Sequence, residues 1–252
     1  CPGGPKATSC LVQPVKPEVI TAYEIGYKAR LFDRLNFTLA AFHYDYKNIQ
    51  VFIYNPVLGT GGTQNAAAGR IDGAEFEGTF KASHDLNFNF GVSYLKTKYT
   101  SFPNAQIYFP TSATTCATPA PPAVPLPYPC GNTEGSANVK GNRLVHAPSW
   151  TANLSVDYTH EFAAGLFELN VSGNYDGGYY FDPNNRVKQK PYALLNAELS
   201  FAPAGVRGLR LVLWGKNLTN HNYLQSMLET NFADAVSWAP PRTFGGRVEF
   251  KF

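Results

Sequence analysis

Along most of the chain, apolar and polar residues alternate one by one, the period-two signature of strands with one apolar and one polar face. Tyr23, Ile25, Tyr27, Ala29 and Leu31 share a face, with Glu24, Lys28 and Arg30 on the other. Ala74, Phe76, Gly78, Phe80 and Ala82 oppose Glu75, Glu77, Thr79 and Lys81, and Leu86, Phe88, Phe90, Val92 and Tyr94 follow after a His84-Asp85 turn. Trp150, Ala152, Leu154, Val156 and Tyr158 oppose Thr151, Asn153, Ser155 and Asp157; Phe167, Leu169, Val171 and Tyr175 oppose Glu168, Asn170, Ser172 and Asp176. Leu195, Ala197, Leu199 and Phe201 oppose Asn196, Glu198 and Ser200, and the last segment sets Phe244, Val248, Phe250 and Phe252 against Arg247, Glu249 and Lys251. Two stretches depart. Over 36–52 the apolar phase passes from Phe37, Leu39 and Ala41 to Phe42, Tyr44 and Tyr46, which predicts a β-bulge. Over 207–221 both faces carry apolar groups, Val212 and Trp214 included, and the face assignment stays open.

The pattern predicts about nine strands, over 18–32, 35–54, 70–83, 86–99, 143–160, 166–180, 189–202, 207–221 and 242–252. A soluble sandwich also alternates, so three further features decide the class. The strands run to about 10–15 residues, against ~5–6 in soluble sheets. Their apolar faces carry Tyr, Trp or Phe near the ends, as membrane-interface girdles do. Short turns at 32–35, 83–86, 161–166 and 202–208 alternate with long links at 55–69, 100–142, 181–188 and 222–240. Outer-membrane barrels have short periplasmic turns and long extracellular loops. The expected fold is therefore all-β, an antiparallel transmembrane β-barrel in the bacterial outer membrane, with 100–142 a long extracellular loop. Single-chain bacterial barrels use even strand numbers. A count of about nine thus makes residues 1–252 the C-terminal part of a larger barrel.

Composition agrees. Charged residues make up 15% of the 252, below the roughly 25% of an ordinary soluble domain, and aromatics reach 14%. No window holds the ~18 apolar residues of a membrane helix. The net charge is +3 and no Lys/Arg cluster exists to track phosphates, so a nucleic-acid partner is not expected. Four cysteines fall in two close pairs, Cys1 with Cys10 and Cys116 with Cys130, both around Pro-rich stretches and neither at zinc-ligand spacing. They read as two disulfides formed outside the cytoplasm, with an acylated Cys1 as the alternative for the first.

Charges such as Glu24, Lys28, Arg30, Glu75, Glu77, Glu168, Glu198 and Arg247 belong on the inward face. A Lys or Arg facing lipid at midplane costs about 2–4 kcal/mol, so a mixed-sign ladder lining a lumen is the expectation, not a set of catalytic carboxylates. The candidate ligand contacts are Tyr179, Tyr180 and Phe181 at the outer end of a strand, Arg186 in the following link, and Trp238 before the last strand. The aromatics suit stacking on a ligand ring or, alternatively, an interface girdle. Arg186 suits an anionic ligand or plain solvation. The five histidines show no metal spacing, and no nucleophile elbow or phosphate loop is present; neither enzyme chemistry nor a metal or cofactor is expected.

YEIGYKARLFDRLNFTLAAFHYDYKNIQVF (Tyr23 to Phe52), GAEFEGTF (Gly73 to Phe80), GKNLTNHNY (Gly215 to Tyr223) and the closing APPRTFGGRVEFKF together resemble the C-terminal barrel of TonB-dependent outer-membrane receptors. That resemblance implies a 22-stranded barrel with an N-terminal plug, of which this chain shows about nine strands. It implies energised import of a scarce nutrient of the siderophore, cobalamin or saccharide class. The implied partners are outer-membrane lipid, the TonB energy-transducing complex and a small-molecule or saccharide ligand. The terminal aromatics Phe250 and Phe252 resemble the signal read by the outer-membrane insertion machinery. The rival readings are a passive porin-type channel and a secreted all-β binding or adhesion domain.

Overall fold

A computed structural model describes residues 15–55, 60–110, 131–230 and 233–251. The wall begins with β1 (Val19–Leu31), β2 (Leu35–Asn55), β3 (Thr60–Lys81) and β4 (Leu86–Ser101). Two short strands follow, β5 (Ala105–Pro110) and β6 (Asn132–Ala137), then β7 (Trp150–Phe162), β8 (Gly165–Asp176), β9 (Tyr192–Pro203) and β10 (Leu209–Lys216). The chain ends with β11 (Leu224–Glu229), β12 (Asp234–Trp238) and β13 (Thr243–Phe250). Nine of these form one antiparallel sheet in the order β1-β2-β3-β4-β7-β8-β9-β10-β13. Among the described residues β5 pairs only with β6, and β11 only with β12; both hairpins project from one end of the wall.

Paired residues lie on the same face of a sheet, so the register shows how the sequence sorts its sides. One row joins Tyr27, Leu39, Phe76, Val92, Ala152 and Tyr175, and another joins Ala29, Phe37, Gly78, Phe90, Leu154, Gly173 and Leu195. This face is apolar yet uncovered: Ile25 is 76% exposed, Val248 71% and Phe244 78%. No second sheet packs over it among the described residues, which removes the two-sheet sandwich and with it the secreted-domain reading. The opposite face carries the polar ladder. Asn170 donates to Ser155 and Asp157, Asn89 donates to Asp157, Ser200 donates to Glu168, and Arg210 pairs with Glu168 at 2.6 Å. The ambiguous segment resolves here. Leu209, Leu211 and Leu213 take the apolar face, while Val212 (1% exposed) and Trp214 take the polar one, in register with Ser200 and Glu198.

Turn chemistry separates the two ends. Phe32 and Asp33 have φ of 51° and 54°, the two left-handed residues of a type I′ turn, and Arg34 N–H closes it on Leu31 O at 3.1 Å. At the same end the His84-Asp85 turn is pinned twice, by His84 Nδ1 at 2.8 Å and His160 Nδ1 at 2.6 Å from the Asp85 carboxylate.

One expectation needs correction. Residues 60–69 are not a link but the start of β3, so β2 and β3 run as a hairpin far beyond the apolar rows. The β-bulge expected within 36–52 is present between Tyr46 and Gln50, whereas pairing is unbroken from Leu35↔Phe80 to Tyr46↔Gly69, across the change of apolar phase itself. The hydrophobicity has instead changed faces. Beyond Ala41 the outer side reads His43 and Asp45 on β2, Asp72 and Arg70 on β3, Lys96 and Lys98 on β4. The inner side reads Phe42, Tyr44 and Tyr46, with Ile71 and Leu95. The wall has left the membrane there, so water replaces lipid outside while side chains pack inside. At the bulge Asn48 has φ 57°. The 100–142 link holds the β5–β6 hairpin. Cys1, Cys10, Cys116, Cys130 and Phe252 lie outside the described residues.

Candidate ligand site at the rim

The long-link end has its own small core. Ala67 of β3, Tyr99 of β4, Phe102, Ala105 of β5 and Val139 are buried together, with Ile49, Val51, Ile107 and Leu144 packed against them. Tyr99 continues the inner face of β4, so this core sits inside the wall, over the mouth of the polar face.

Beside it the two hairpins are locked by one arginine. The Arg186 guanidinium bonds Glu229 at the end of β11, and its Nη1 and Nη2 reach the Asp234 carboxylate of β12 at 2.8 Å. Asp234 also accepts from Asn132 Nδ2 of β6 at 2.8 Å, and the same amide nitrogen donates to Thr230 O. Asp182, 2% exposed, folds the link itself by accepting from the backbone N–H groups of Arg186 and Val187 at 3.0 and 2.7 Å. Arg186 holds the Asp234 carboxyl below its usual range, and these carboxylates push the guanidinium further up. Burial outweighs the ion pair at Glu229 and raises its pKa.

Between these parts lies a cavity of about 750 Å³. Aromatic and aliphatic groups dominate its wall, among them Phe52, Tyr99, Phe102, Tyr108, Phe181 and Met227. Among the described residues two charged ones line it, Asp182 and Glu229, both acidic. A pocket of this size and apolar character, with a few polar groups, fits a small molecule.

The sequence-predicted site residues divide. Phe181 lines the cavity. Tyr179 packs on Phe181 with ring centroids 5.1 Å apart and on His146 at 5.2 Å, behind that wall. Burial raises the Tyr179 phenol pKa. Tyr180 is held between Arg143 and Lys188, each 5.8 Å from its ring centroid. Trp238 stands 62% exposed at the end of β12, apart from the cavity. Arg186 commits its guanidinium to the clamp. The sequence reading missed the cavity's other walls, on β2, β4, β5 and β11, since nothing in the pattern told which loop residues fold back. It also missed Asn217, whose side chain donates to the carbonyls of His221 and Pro240 and accepts from His221 N–H. The signal was the GKNLTN run, whose Asn217 takes φ 48°, a conformation Asn tolerates.

A sheet whose outer face is apolar and uncovered, whose inner face is charged, and whose loops gather at one end defines the wall of an outer-membrane β-barrel. The model of the TonB dependent receptor-like β-barrel family matches residues 5–218, and the chain belongs to that family. It is 30% identical over 117 residues to the ferrichrome outer membrane transporter/phage receptor of Escherichia coli (strain K12), covering 45% of this chain and 15% of that protein. It superposes on the ferric yersiniabactin uptake receptor FyuA from Yersinia pestis with a TM-score of 0.71 at 18% identity, over 95% of this chain and 31% of that one. For the siderophore receptor PiuA from Acinetobacter baumannii the values are 0.67, 19%, 94% and 29%. The chain thus spans less than a third of the length of these relatives. It is a piece of barrel wall from the bacterial outer membrane, in a family of nutrient-uptake receptors.

Proposed function

We propose that the chain walls the passage of an energised uptake receptor and supplies one side of its extracellular ligand pocket, with import driven through TonB. The observation that carries this reading is the aromatic cavity at the rim, seated over the polar inner face. Its volume of about 750 Å³ suits a compact chelate or a short saccharide. Phe181, Phe52 and Tyr108 would stack on ligand rings, while Arg186 keeps the hairpins in place without touching the ligand. The cargo is a scarce nutrient of the siderophore, cobalamin or saccharide class, and the names of the relatives favour the first of these. No covalent step is involved.

The test is uptake of radiolabelled ferric hydroxamate and ferric catecholate complexes by iron-starved cells expressing the receptor. Uptake of one of them should stop when TonB is deleted, and Phe181→Ala should raise the half-saturating concentration about tenfold. Uptake that persists without TonB would identify a passive channel instead.

A further inference from the structure

The cavity at the rim has an electrostatic sign as well as a shape. The charged residues that line it among those described, Asp182 and Glu229, are both acidic. A third carboxylate stands at its edge. Gln106 and Tyr108 of β5 line the cavity, and Glu134 of β6 is opposite Tyr108 in register, hence on the same face of the hairpin. Gln106 Nε2 donates to Glu134 Oε1 at 2.7 Å. Glu134 Oε2 is buried and has no hydrogen-bond partner among the described residues.

The cations nearby do not balance these acids. Arg186 places its guanidinium on Glu229 and Asp234, so one positive group faces the carboxylates of Glu134, Asp182, Glu229 and Asp234. Asp182 accepts from backbone N–H groups, which leave its negative charge in place. Arg143 and Lys188 lie against the Tyr180 ring, and neither lines the cavity. The remaining sequence of the rim links, 56–59, 111–130 and 231–232, contains no Lys or Arg to redress the sign. Carboxylates in an apolar enclosure are costly unless a cation answers them, and aromatic rings attract cations as well.

We infer that the cavity selects its cargo by charge, taking chelates that carry a cationic arm such as an alkylammonium and turning away polyanions such as tris-catecholates. The inference rests on the uptake reading and narrows its cargo. Glu134 and Glu229 are the selecting residues, since both Asp182 oxygens are spent on backbone N–H groups. Glu134 Oε2 is the acceptor that an ammonium N–H would meet. An anion would instead oppose like charge where water is scarce and the repulsion is little screened.

The experiment measures binding to the full receptor in outer-membrane vesicles, using iron-loaded linear trihydroxamates that share one chelating core. Their terminal amine is left free, acetylated or succinylated, which makes the chelate singly positive, neutral or singly negative. Affinity should fall in that order, by about tenfold from first to last, and the spread should shrink as salt rises. Glu134→Gln/Glu229→Gln should weaken the positive chelate and narrow the spread to about threefold, while the neutral chelate binds as before. An unchanged spread in that variant would overturn the role of the two glutamates. Equal affinity of the wild type for all three, or tightest binding of the negative one, overturns charge selection and leaves the uptake reading in place. Failure to bind any of the three overturns the siderophore reading and the selection with it. The wild-type series decides among these outcomes whether or not the double variant assembles.

Discussion

Asn132 and Asp234, 102 residues apart in sequence, meet at 2.8 Å, the side-chain amide of one donating to the carboxylate of the other. Through this contact the β5–β6 hairpin is tied to the β11–β12 hairpin, and Arg186 holds both oxygens of the same carboxylate, sharing Oδ1 with Asn132. The rim of the cavity is therefore one joint and not two independent loops.

Arg186→Met should loosen that joint while leaving the nine-stranded wall assembled. Losing charge-assisted hydrogen bonds to half-buried carboxylates costs about 2 kcal/mol. Amide hydrogen exchange should show protection lost by about thirtyfold over β11 and β12, with β7–β9 unchanged. Equal protection in both proteins would remove Arg186 from its place in the clamp.

The two acids of the clamp should respond oppositely to pH. Asp234, its pKa lowered chiefly by Arg186, adds stability at neutral pH that is lost as pH falls through its lowered value. Glu229, its pKa raised by burial, is costly when ionised, and that cost is relieved as pH falls through its raised value. Asp234→Asn should thus weaken the rim at pH 7, with the difference from wild type closing in acid. Glu229→Gln should be near neutral or mildly stabilising at pH 7. Thermal melts of both variants from pH 7 to pH 3 would read this directly.

Gly178 has φ +80° and is buried, and an added Cβ would run into the Gln189 carbonyl. It turns the chain out of β8 so that Tyr179 can accept from Gln189 N–H at 2.8 Å and Phe181 can reach the cavity. Gly178→Ala should cost about 1–2 kcal/mol from backbone conformation alone. The near-ultraviolet circular dichroism of the clustered aromatics should fall with it.

On the outer face, Leu154→Arg or Val171→Arg should block assembly in the outer membrane, at a cost of about 2–4 kcal/mol each. Ser172→Arg, on the polar face beside Ser155, should assemble normally. Heat-modifiable mobility on gels separates the outcomes, and equal tolerance of all three would contradict the assignment of faces.

Alkylation mass shifts before and after reduction should find Cys116 and Cys130 oxidised in native membranes. Free thiols there would remove the proposed loop staple.

The nine wall strands are readable from the sequence because lipid on one side and a polar interior on the other impose a two-residue code across most of each strand. The four rim strands are not, since five or six residues packed between other loops obey no such rule. Phe181 is legible as an aromatic at the end of a strand, but its neighbours Tyr108 and Met227 come from links whose folding depends on Arg186 finding Asp234. A lone Arg in a loop carries no mark of that partner. The change of phase after Ala41 is visible in sequence, yet its meaning is not, because a bulge and a change of solvent produce the same string of letters.

That exchange of faces on β2, β3 and β4 also limits how such strands can lengthen. Each added residue advances a strand about 3.4 Å and inverts the side of everything beyond it. A single insertion between Ala74 and Phe80 would send part of the apolar row inward and turn charges toward the acyl chains. An insertion of two keeps every side chain on its own side and shifts the water line by about 7 Å. Length variation in this part of the wall is therefore restricted to even steps.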